Sequence, residues 1–224
     1  MKKRIGCLHA HYSNIEYIQD ALSSDERELV HFVDPGLMSR ILSDPDFDEA
    51  QAKKKVIEQI EWIAQASVEA ILITCTNYIA LLDENRLTAS LPILKIDEPF
   101  FHSVCRQAGP QVLLFTNPAT VEGTMSRLAD YAAAQDMPLR HVEARVIGDT
   151  FELLLQGKKE QYVEELSKRL KEIVASEKNK KISVAQLSMV EAAVNVQREW
   201  SVAIGNPLDC LIKQFDDQSV RERA

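Results

Sequence analysis

The sequence predicts an α/β protein built on parallel β-sheets, and two features of the 224-residue chain support this prediction. Short apolar runs alternate with longer segments of helical periodicity over the whole length, as in repeated strand–helix units. One of these runs, at residues 70–74, is apolar at each position before its closing Thr74. Continuous apolar strands are typical of parallel sheets that are covered by helices on both faces.

Eight strands are predicted from the apolar runs. The first ends at His9, and the second is followed by the turn sequence Asp34-Pro35-Gly36. The runs span residues 4–9, 29–33, 70–74, 91–96, 111–115, 139–146, 182–187 and 202–204. Most of them lead into a segment with helical periodicity, as a parallel sheet requires, because each crossover returns the chain to the starting edge.

Helices are predicted in most segments between these strands. The clearest covers residues 48–66, where apolar residues share one face, charged residues lie opposite, and Asp46 or Asp48 is placed to cap the first turn. The apolar residues are Ala52, Val56, Ile60 and Ile63. The other predicted helices span residues 14–23, 39–42, 78–87, 98–107, 121–135, 161–176 and 189–199, with a short helix from residue 208.

Composition excludes several classes of partner. The net charge is −8 and the pI about 5.2, and an acidic chain repels phosphate backbones, so nucleic acid is not expected as a partner. No apolar stretch has the length of a signal-peptide core or a membrane span, so we expect a cytoplasmic protein without a membrane partner. The four cysteines are far apart without zinc-binding spacing, which predicts reduced thiols and no metal site.

Cys75 is the first candidate for chemistry. It follows the apolar run 70–74 and precedes a predicted helix, where exposed backbone N–H groups favour the thiolate. Thr76 and Asn77 add hydrogen-bond donors beside it. The alternative is a structural role, because free cysteines are among the most buried residue types.

Polar residues also follow the strand at 111–115. The side chains of Thr116, Asn117 and Thr120, with backbone N–H groups, suit a ligand carboxylate. The alternative is simple capping of the next helix, which these residue types do routinely.

The end of the first strand carries His9 and His11, whose spacing places both side chains on one face. No cysteine or carboxylate is close enough in sequence to complete a metal site, so we expect substrate-lining or exposed histidines. Tyr12, in the same loop, is expected to contribute to specificity. Asp34 is a further candidate contact at the second strand end, although turn chemistry explains it fully.

Several motifs are absent. The sequence contains neither a glycine-rich phosphate loop nor a GxSxG elbow, and it has no HExxH pair. Their absence argues against nucleotide-binding, hydrolase and metalloprotease functions.

The two halves of the chain carry a weak internal repeat. Thr74-Cys75-Thr76-Asn77 follows a strand in the first half, and Leu187-Ser188-Met189 follows one in the second half. In open α/β folds, ligands bind at the carboxyl ends of strands. Two such ends facing each other would form a cleft.

Five ordered motifs resemble those of the aspartate/glutamate/hydantoin racemase superfamily over most of the chain. They are Val33-Asp34-Pro35-Gly36-Leu37-Met38, Ile73-Thr74-Cys75-Thr76-Asn77, Ile96-Asp97-Glu98-Pro99, Val112-Leu113-Leu114-Phe115-Thr116-Asn117-Pro118-Ala119-Thr120-Val121 and Val184-Ala185-Gln186-Leu187-Ser188-Met189. Each motif is degenerate alone, and their order and spacing carry the resemblance.

This resemblance implies two Rossmann-like lobes with parallel sheets and a pseudo-twofold relation, with the site in the cleft between the lobes. Residues 1–97 and 208–224 would form the first lobe and residues 98–207 the second. The resemblance also implies a homodimer and no cofactor. Racemases of this type use two cysteines on opposite sides of the substrate α-carbon, and they hold the carboxylate with Thr, Ser, Asn and backbone amides.

Cys75 matches the first of the two cysteines, whereas Ser188 stands where the second matches. The motif that contains Cys75 also reads Cys-Thr-Asn where the racemases usually read Cys-Asn-Thr. A thiol has an ordinary pKa of about 8.5 and a serine hydroxyl is far less acidic, so a symmetric two-thiol reaction is not expected.

We therefore predict a cofactor-independent racemase- or isomerase-like enzyme that uses a single cysteine for catalysis. It would act at the carbon α to the carboxylate of a small amino acid or dicarboxylic acid, with Cys75 and Ser188 as catalytic residues. The predicted substrate contacts are His9, Tyr12, Asp34, Thr76, Asn77, Thr116, Asn117 and Thr120. The alternatives are a single-thiol decarboxylase of the same superfamily and a non-catalytic protein that binds a small carboxylate.

Overall fold

The computed structural model describes residues 2–223, with side chains up to residue 217. The chain divides into two compact units, one ending at Asp97 and the other beginning at Glu98. Each unit contains one four-stranded sheet whose strands all run parallel. None of the helices in the described part of the chain has the length and apolar character of a membrane span.

The first unit alternates strands and helices. Its elements are β1 (Lys3–His9), α1 (Asn14–Leu22), β2 (Arg27–Val33), α2 (Gly36–Ser43), α3 (Glu49–Ala64), β3 (Ala70–Ile73), α4 (Thr76–Leu81) and β4 (Ile93–Lys95). The strand order across the sheet is β2-β1-β3-β4. His9 pairs with Val33, and Leu8 pairs with Ile73, so the carboxyl ends of β1, β2 and β3 lie at one edge of the sheet.

Helix α3 confirms the clearest prediction from sequence. All four residues of its predicted apolar face are buried, and Asp48 caps its first turn in a reciprocal arrangement with Gln51. Asp48 Oδ1 accepts from the Gln51 backbone N–H at 2.8 Å, and Gln51 Oε1 accepts from the Asp48 backbone N–H at 2.9 Å. Such a capping box satisfies two N–H groups that have no partner within the helix.

The second unit repeats the same plan. Its elements are α5 (Asp97–Arg106, starting at the boundary residue), β5 (Gln111–Phe115), α6 (Val121–Ala134), β6 (Val142–Val146), α7 (Phe151–Leu155), α8 (Lys159–Ser176), β7 (Lys181–Val184), α9 (Val190–Trp200), β8 (Ile204–Gly205) and α10 (Pro207–Arg223). The strand order is β6-β5-β7-β8. In both sheets the second strand of the unit is therefore at one edge, followed by the first, third and fourth strands.

The central strand β5 is buried at every position, and its residues after Gln111 are all apolar. Val112 and Leu114 belong to a core cluster with residues of α8 and α9. Leu113 and Phe115 belong to a different cluster with residues of α5 and α6. Because successive residues of a strand point to opposite faces, the sheet carries helices on both sides.

The common strand order explains the internal repeat in the sequence. Strands β3 and β7 occupy equivalent positions in their sheets. Cys75 follows β3 by two residues, and Ser188 lies in a short 3₁₀ turn, Leu187–Met189, soon after β7. The two residues therefore occupy comparable strand ends, each within its own unit.

The C-terminal segment differs from its predicted assignment. Residues 208–224 were expected to complete the first lobe, but the described part of this segment groups with the second unit. The physical reason is that Cys210 on α10 packs against the core cluster around Phe101 and Leu113. Ala224 lies outside the described residues.

The bounds of several predicted elements also differ, and one element was not predicted. The helix expected over residues 78–87 is shorter, because α4 ends at Leu81 and a 3₁₀ turn follows at Glu84–Arg86, capped by the Asp83 side chain. Helix α7 lies in a segment for which the sequence predicted no element.

Candidate functional site

Cys75 lies at the carboxyl end of β3 and is the residue that precedes α4. Its backbone is still extended, with φ −122° and ψ 118°, and the helix begins at the next residue, Thr76. The side chain is half-buried, and Thr76 and Asn77 in the first turn of α4 are half-buried as well. The structure therefore places the three predicted site residues Cys75, Thr76 and Asn77 together at the end of β3.

The surroundings of the Cys75 thiol have opposing effects on its pKa. Burial raises its pKa, the backbone N–H groups of Tyr78 and Asn77 lower it, and the carboxylate of Asp97 raises it, with a net upward shift. Neither N–H group forms a capping hydrogen bond to the sulfur, although both are near enough to affect its charge. The pKa of the Cys75 thiol therefore lies above its ordinary value, which disfavours at neutral pH the thiolate that the strand-end position suggests.

His9 is fully buried at the end of β1. Its Nδ1 atom lies 2.8 Å from the Thr74 hydroxyl, and its Nε2 atom lies 2.8 Å from Nδ1 of His31. The other ring nitrogen of His31 lies 2.9 Å from Gln19 Oε1 on α1. Both nitrogens of His9 are thus bound by protein groups, so in this structure the side chain braces neighbouring strands instead of lining an open surface.

Asp34 serves the turn that the sequence predicts. Its Oδ1 atom accepts from the backbone N–H groups of Gly36 at 2.8 Å and Leu37 at 3.3 Å, where α2 begins. Its Oδ2 atom accepts a hydrogen bond from the Gln59 side chain, and its backbone carbonyl accepts one from the Tyr78 hydroxyl. The carboxylate of Asp34 raises the pKa of Tyr78, after the larger effect of burial.

Tyr12 is placed differently from the other predicted contacts. It is 68% exposed, and its ring lies against that of His11, with centroids 4.3 Å apart. No hydrogen bond connects it to the His9 network described above.

The second unit has its polar cluster at the carboxyl ends of β5 and β7. The carboxamide oxygen of Gln186 accepts from the backbone N–H groups of Thr116 at 2.7 Å and Asn117 at 3.1 Å. It also lies 3.1 Å from the Thr116 hydroxyl. The Gln186 amide nitrogen donates to the Thr120 hydroxyl at 3.2 Å, which in turn donates to the carbonyl of Asn117 at 2.9 Å.

Ser188 joins this cluster through Tyr162 of α8. The Tyr162 hydroxyl lies 3.0 Å from the Thr116 hydroxyl and 3.4 Å from Ser188 Oγ. Burial raises the pKa of Tyr162, and the hydrogen bonds to Ser188 and Thr116 lower it to a smaller extent. The hydroxyls of Thr116, Tyr162 and Ser188 therefore form a neutral hydrogen-bonded chain within the second unit.

Capping, the alternative reading of the 116–120 segment, also has direct support. The Asn117 carboxamide oxygen accepts from the Ala119 backbone N–H at 3.1 Å and caps the 3₁₀ turn Pro118–Thr120. The Asn117 side-chain oxygen is therefore engaged by its own loop.

Four residues of these clusters escaped sequence reasoning: His31, Gln19, Tyr162 and Gln186. Gln186 carried a usable signal, because it stands two residues before Ser188 in one of the quoted motifs. Tyr162 carried none, because a tyrosine on a helix looks like an ordinary core residue until its hydroxyl partners are known.

Two further observations concern other ligands. Within the described residues, no group of three or more His, Cys, Asp or Glu side chains is arranged to hold a metal ion. A cavity of about 700 Å³ in the second unit lies beside Gln107 and Lys181, and none of the predicted site residues line it. Lys181 begins β7, so this cavity lies at the end of the sheet opposite to Ser188.

The fold and its strand-end residues define an α/β protein with two parallel four-stranded sheets and ligand-type polar groups after equivalent strands. The model of the Asp/Glu/Hydantoin racemase family matches residues 10–215, which is nearly the whole chain. The chain therefore belongs to the Asp/Glu/hydantoin racemase family. A search of curated protein sequences gave no significant match.

Solved structures with the same fold include several racemases at low sequence identity. Allantoin racemase from Klebsiella pneumoniae is 18% identical with a TM-score of 0.65, and the match covers 99% of this chain and 89% of that one. Glutamate racemase from Francisella tularensis, in complex with D-glutamate, is 14% identical with a TM-score of 0.64, covering 99% and 82%. Aspartate racemase from Picrophilus torridus is 13% identical with a TM-score of 0.61, covering 94% and 91%. These likenesses show the two-lobed racemase fold.

Proposed function

We propose that this protein is a cofactor-independent enzyme that acts at the carbon α to a carboxylate, with Cys75 as its single catalytic thiol. The observation that carries the proposal is the position of Cys75, half-buried between the end of β3 and the first turn of α4. Membership of the Asp/Glu/hydantoin racemase family supports a small amino acid or dicarboxylic acid as the substrate.

In the isomerase form of this reaction, Cys75 exchanges a proton with the α-carbon. The Cys75 thiol first gives its proton to water, and the resulting thiolate removes the α-proton. The electron pair passes into the adjacent carboxylate as an enediolate, and the same thiol then returns a proton to the same face. Ser188 contributes a hydrogen-bond donor instead of a second acid, because its hydroxyl is far less acidic than a thiol. Exchange on one face is therefore expected to be faster than inversion.

A single-thiol decarboxylase is the second candidate, and the raised pKa of Cys75 favours it. In this reaction the bond between the α-carbon and one carboxylate breaks, CO₂ leaves with its oxygens, and the electron pair stays on the α-carbon. The resting thiol then donates its proton to that carbon, and the resulting thiolate regains a proton from water. A thiol with a high pKa suits this step because its protonated form predominates at neutral pH.

The test is a panel of amino acids and dicarboxylic acids in D₂O, followed by proton NMR for α-exchange, isomerisation and loss of CO₂. Whichever of these reactions the wild-type protein catalyses, Cys75→Ser should lower its rate by about 10²-fold or more, which is the usual contribution of a general acid or base. Cys210→Ser is the matched control, since Cys210 is also a half-buried free thiol. Exchange that survives in Cys75→Ser would remove Cys75 from the mechanism.

Ser188→Cys separates isomerisation from one-faced exchange. A second thiol restores a proton donor at the position where the racemases of the family carry one, so inversion should appear or increase relative to α-exchange. If the ratio of inversion to exchange is unchanged in Ser188→Cys, the assigned role of Ser188 is wrong. A wild-type protein that binds a carboxylate saturably and turns over no member of the panel would instead support the non-catalytic binding protein.

A further inference from the structure

The side chain of Gln186 is held by four hydrogen bonds at the carboxyl ends of β5 and β7. Its oxygen accepts from two backbone N–H groups and lies within hydrogen-bonding distance of the Thr116 hydroxyl, at distances between 2.7 and 3.1 Å. Its nitrogen donates to the Thr120 hydroxyl at 3.2 Å. The residues it joins are about 70 positions away in the sequence, so the contact depends on the register of the two strands.

The orientation of this carboxamide is fixed by its partners. Backbone N–H groups can only donate, so the group that faces Thr116 and Asn117 must be the oxygen. The Thr120 hydroxyl uses its hydrogen on the Asn117 carbonyl, so it offers a lone pair to the Gln186 nitrogen. If the amide were rotated by 180°, its NH₂ group would face the backbone N–H groups of Thr116 and Asn117, which are also donors. Its oxygen would face the Thr120 hydroxyl, whose hydrogen is already used on the Asn117 carbonyl.

The donors that meet at the Gln186 oxygen are the same ones that suit a ligand carboxylate. Two adjacent backbone N–H groups and a hydroxyl converge on one oxygen atom, and Thr116 is almost completely buried. A carboxylate oxygen and a carboxamide oxygen accept hydrogen bonds with similar geometry. We propose that Gln186 is a built-in ligand of this donor set and that a substrate carboxylate is bound by other groups of the protein.

The tether of Gln186 to the main chain explains why a free carboxylate does not replace it. A group attached beside its binding site competes at a high effective concentration, whereas a free ligand also loses translational freedom on binding. Displacement would in addition leave the Gln186 nitrogen without its contact to Thr120. The statement about the substrate rests on the proposed function, whereas the occupation of the donor set by Gln186 does not.

Gln186 is consequently a positioning residue. It continues the contact between β5 and β7 beyond the last backbone hydrogen bond, which runs from Ala185 N–H to the Leu114 carbonyl at 2.9 Å. This contact holds the loop that begins at Thr116 against the turn that carries Ser188. The hydroxyl of Ser188 therefore keeps its place beside Tyr162 through Gln186.

The test uses acetate as the probe and requires no turnover. Gln186→Ala removes one acetamide equivalent and leaves the donors open, so acetate should bind this variant roughly tenfold or more tightly than wild type. Calorimetry gives the dissociation constants, and a saturable rise in Tm with acetate, but not with chloride, gives a second readout. Gln197→Ala is the matched control, because the Gln197 oxygen accepts from only one backbone N–H, that of Ile204 at 2.8 Å.

Two outcomes would overturn the proposal. One is acetate binding by wild type as tightly as by Gln186→Ala, and the other is a folded Gln186→Ala that binds no more acetate than Gln197→Ala. If Gln186→Ala does not fold, NMR of the unmodified protein decides. Carboxylates should leave the amide signals of Thr116 and Asn117 and the side-chain NH₂ signal of Gln186 unshifted, and a saturable shift of these signals contradicts the assignment. A protein without catalytic activity can still pass this test, so its failure is distinct from failure of the proposed function.

Discussion

The Nε2 atom of His9 lies 2.8 Å from the Nδ1 atom of His31, and this contact couples two buried or half-buried imidazoles of the first unit. The pair is bounded by Thr74 on one side and by Gln19 on the other. Burial lowers the pKa of His9 to about 4, with a smaller contribution from His31, and burial lowers the pKa of His31 as well. The folded protein therefore holds both rings neutral at pH 7.

The first prediction concerns acid stability. Between about pH 6.5 and 4, His9 takes up a proton in the unfolded chain but not in the folded protein, since its pKa is 6.5 in the unfolded state and about 4 in the folded one. The stabilising contribution is complete above pH 6.5 and is lost as the pH falls through this window. The lost free energy of unfolding is at most about 3 kcal/mol, at 1.36 kcal/mol per pKa unit.

Urea unfolding at a series of pH values checks this prediction. Carboxylates also titrate in the window, so the diagnostic quantity is the difference between variants. His9→Gln should show a shallower pH dependence than wild type, whereas His102→Gln, which changes an exposed histidine, should keep the wild-type slope. Equal slopes for wild type and His9→Gln would show that His9 titrates normally in the folded state.

The second prediction concerns Gly6 on β1. A Cβ atom at this position would lie 2.5 Å from Cγ2 of Ile63 on α3, too close for any side chain. Because Ile63 is buried and cannot move aside freely, Gly6→Ala should lower the free energy of unfolding by about 1–3 kcal/mol. The cost should shrink in an Ile63→Ala background, where Cγ2 is absent. Gly148→Ala is the control, since nothing lies within 4 Å of its added Cβ, and an additive double mutant would contradict the clash.

The sequence predicted those elements whose cause is local. The run at 70–74 is apolar at each position before Thr74, and β3, which ends at Ile73, is buried at every position. The face of α3 follows directly from its helical spacing, and its cap follows from Asp48 and Gln51. Helix α7 has only five residues, which is too short for a periodic pattern to identify.

In the candidate site, too, only the features with a local cause in the sequence could be predicted. The strand-end position of Cys75 follows from an apolar run that ends before it. The hydrogen bonds of Gln186 and Tyr162 do not follow, because they join residues 70 and 46 positions away through the register of β5 and β7 and the packing of α8. The upward pKa shift of Cys75 was likewise hidden, since the strand-to-helix turn alone argues for a thiolate and burial reverses that argument.

The third prediction concerns the start of α10. Asn206 is fully buried, its side-chain oxygen accepts from the Asp209 backbone N–H at 2.8 Å, and its nitrogen donates to the Asp209 carboxylate at 2.8 Å. Asn206→Ala removes both bonds and should lower the free energy of unfolding by about 1–2 kcal/mol, as loss of a helix cap does. Chemical denaturation measures the change. Asn85→Ala alters an exposed asparagine and should be near neutral, and equal costs for the two variants would show that the cap contributes nothing.

The fourth prediction concerns the coupling of Asp97 to Cys75. The negative charge of Asp97 raises the pKa of the Cys75 thiol, so Asp97→Asn should shift the pH midpoint of Cys75 alkylation to a lower value. Peptide mass spectrometry of iodoacetamide-treated protein follows Cys75 separately from Cys7, which is buried and whose pKa is raised to about 12. Asp20→Asn removes the same charge from an exposed position on α1 and should leave the midpoint unchanged. Because only the thiolate is alkylated, the midpoint reports the proton equilibrium of the residue proposed to donate that proton. If the midpoint moves equally in Asp97→Asn and Asp20→Asn, the shift reflects only the change in net charge, and the specific effect of Asp97 on Cys75 is contradicted.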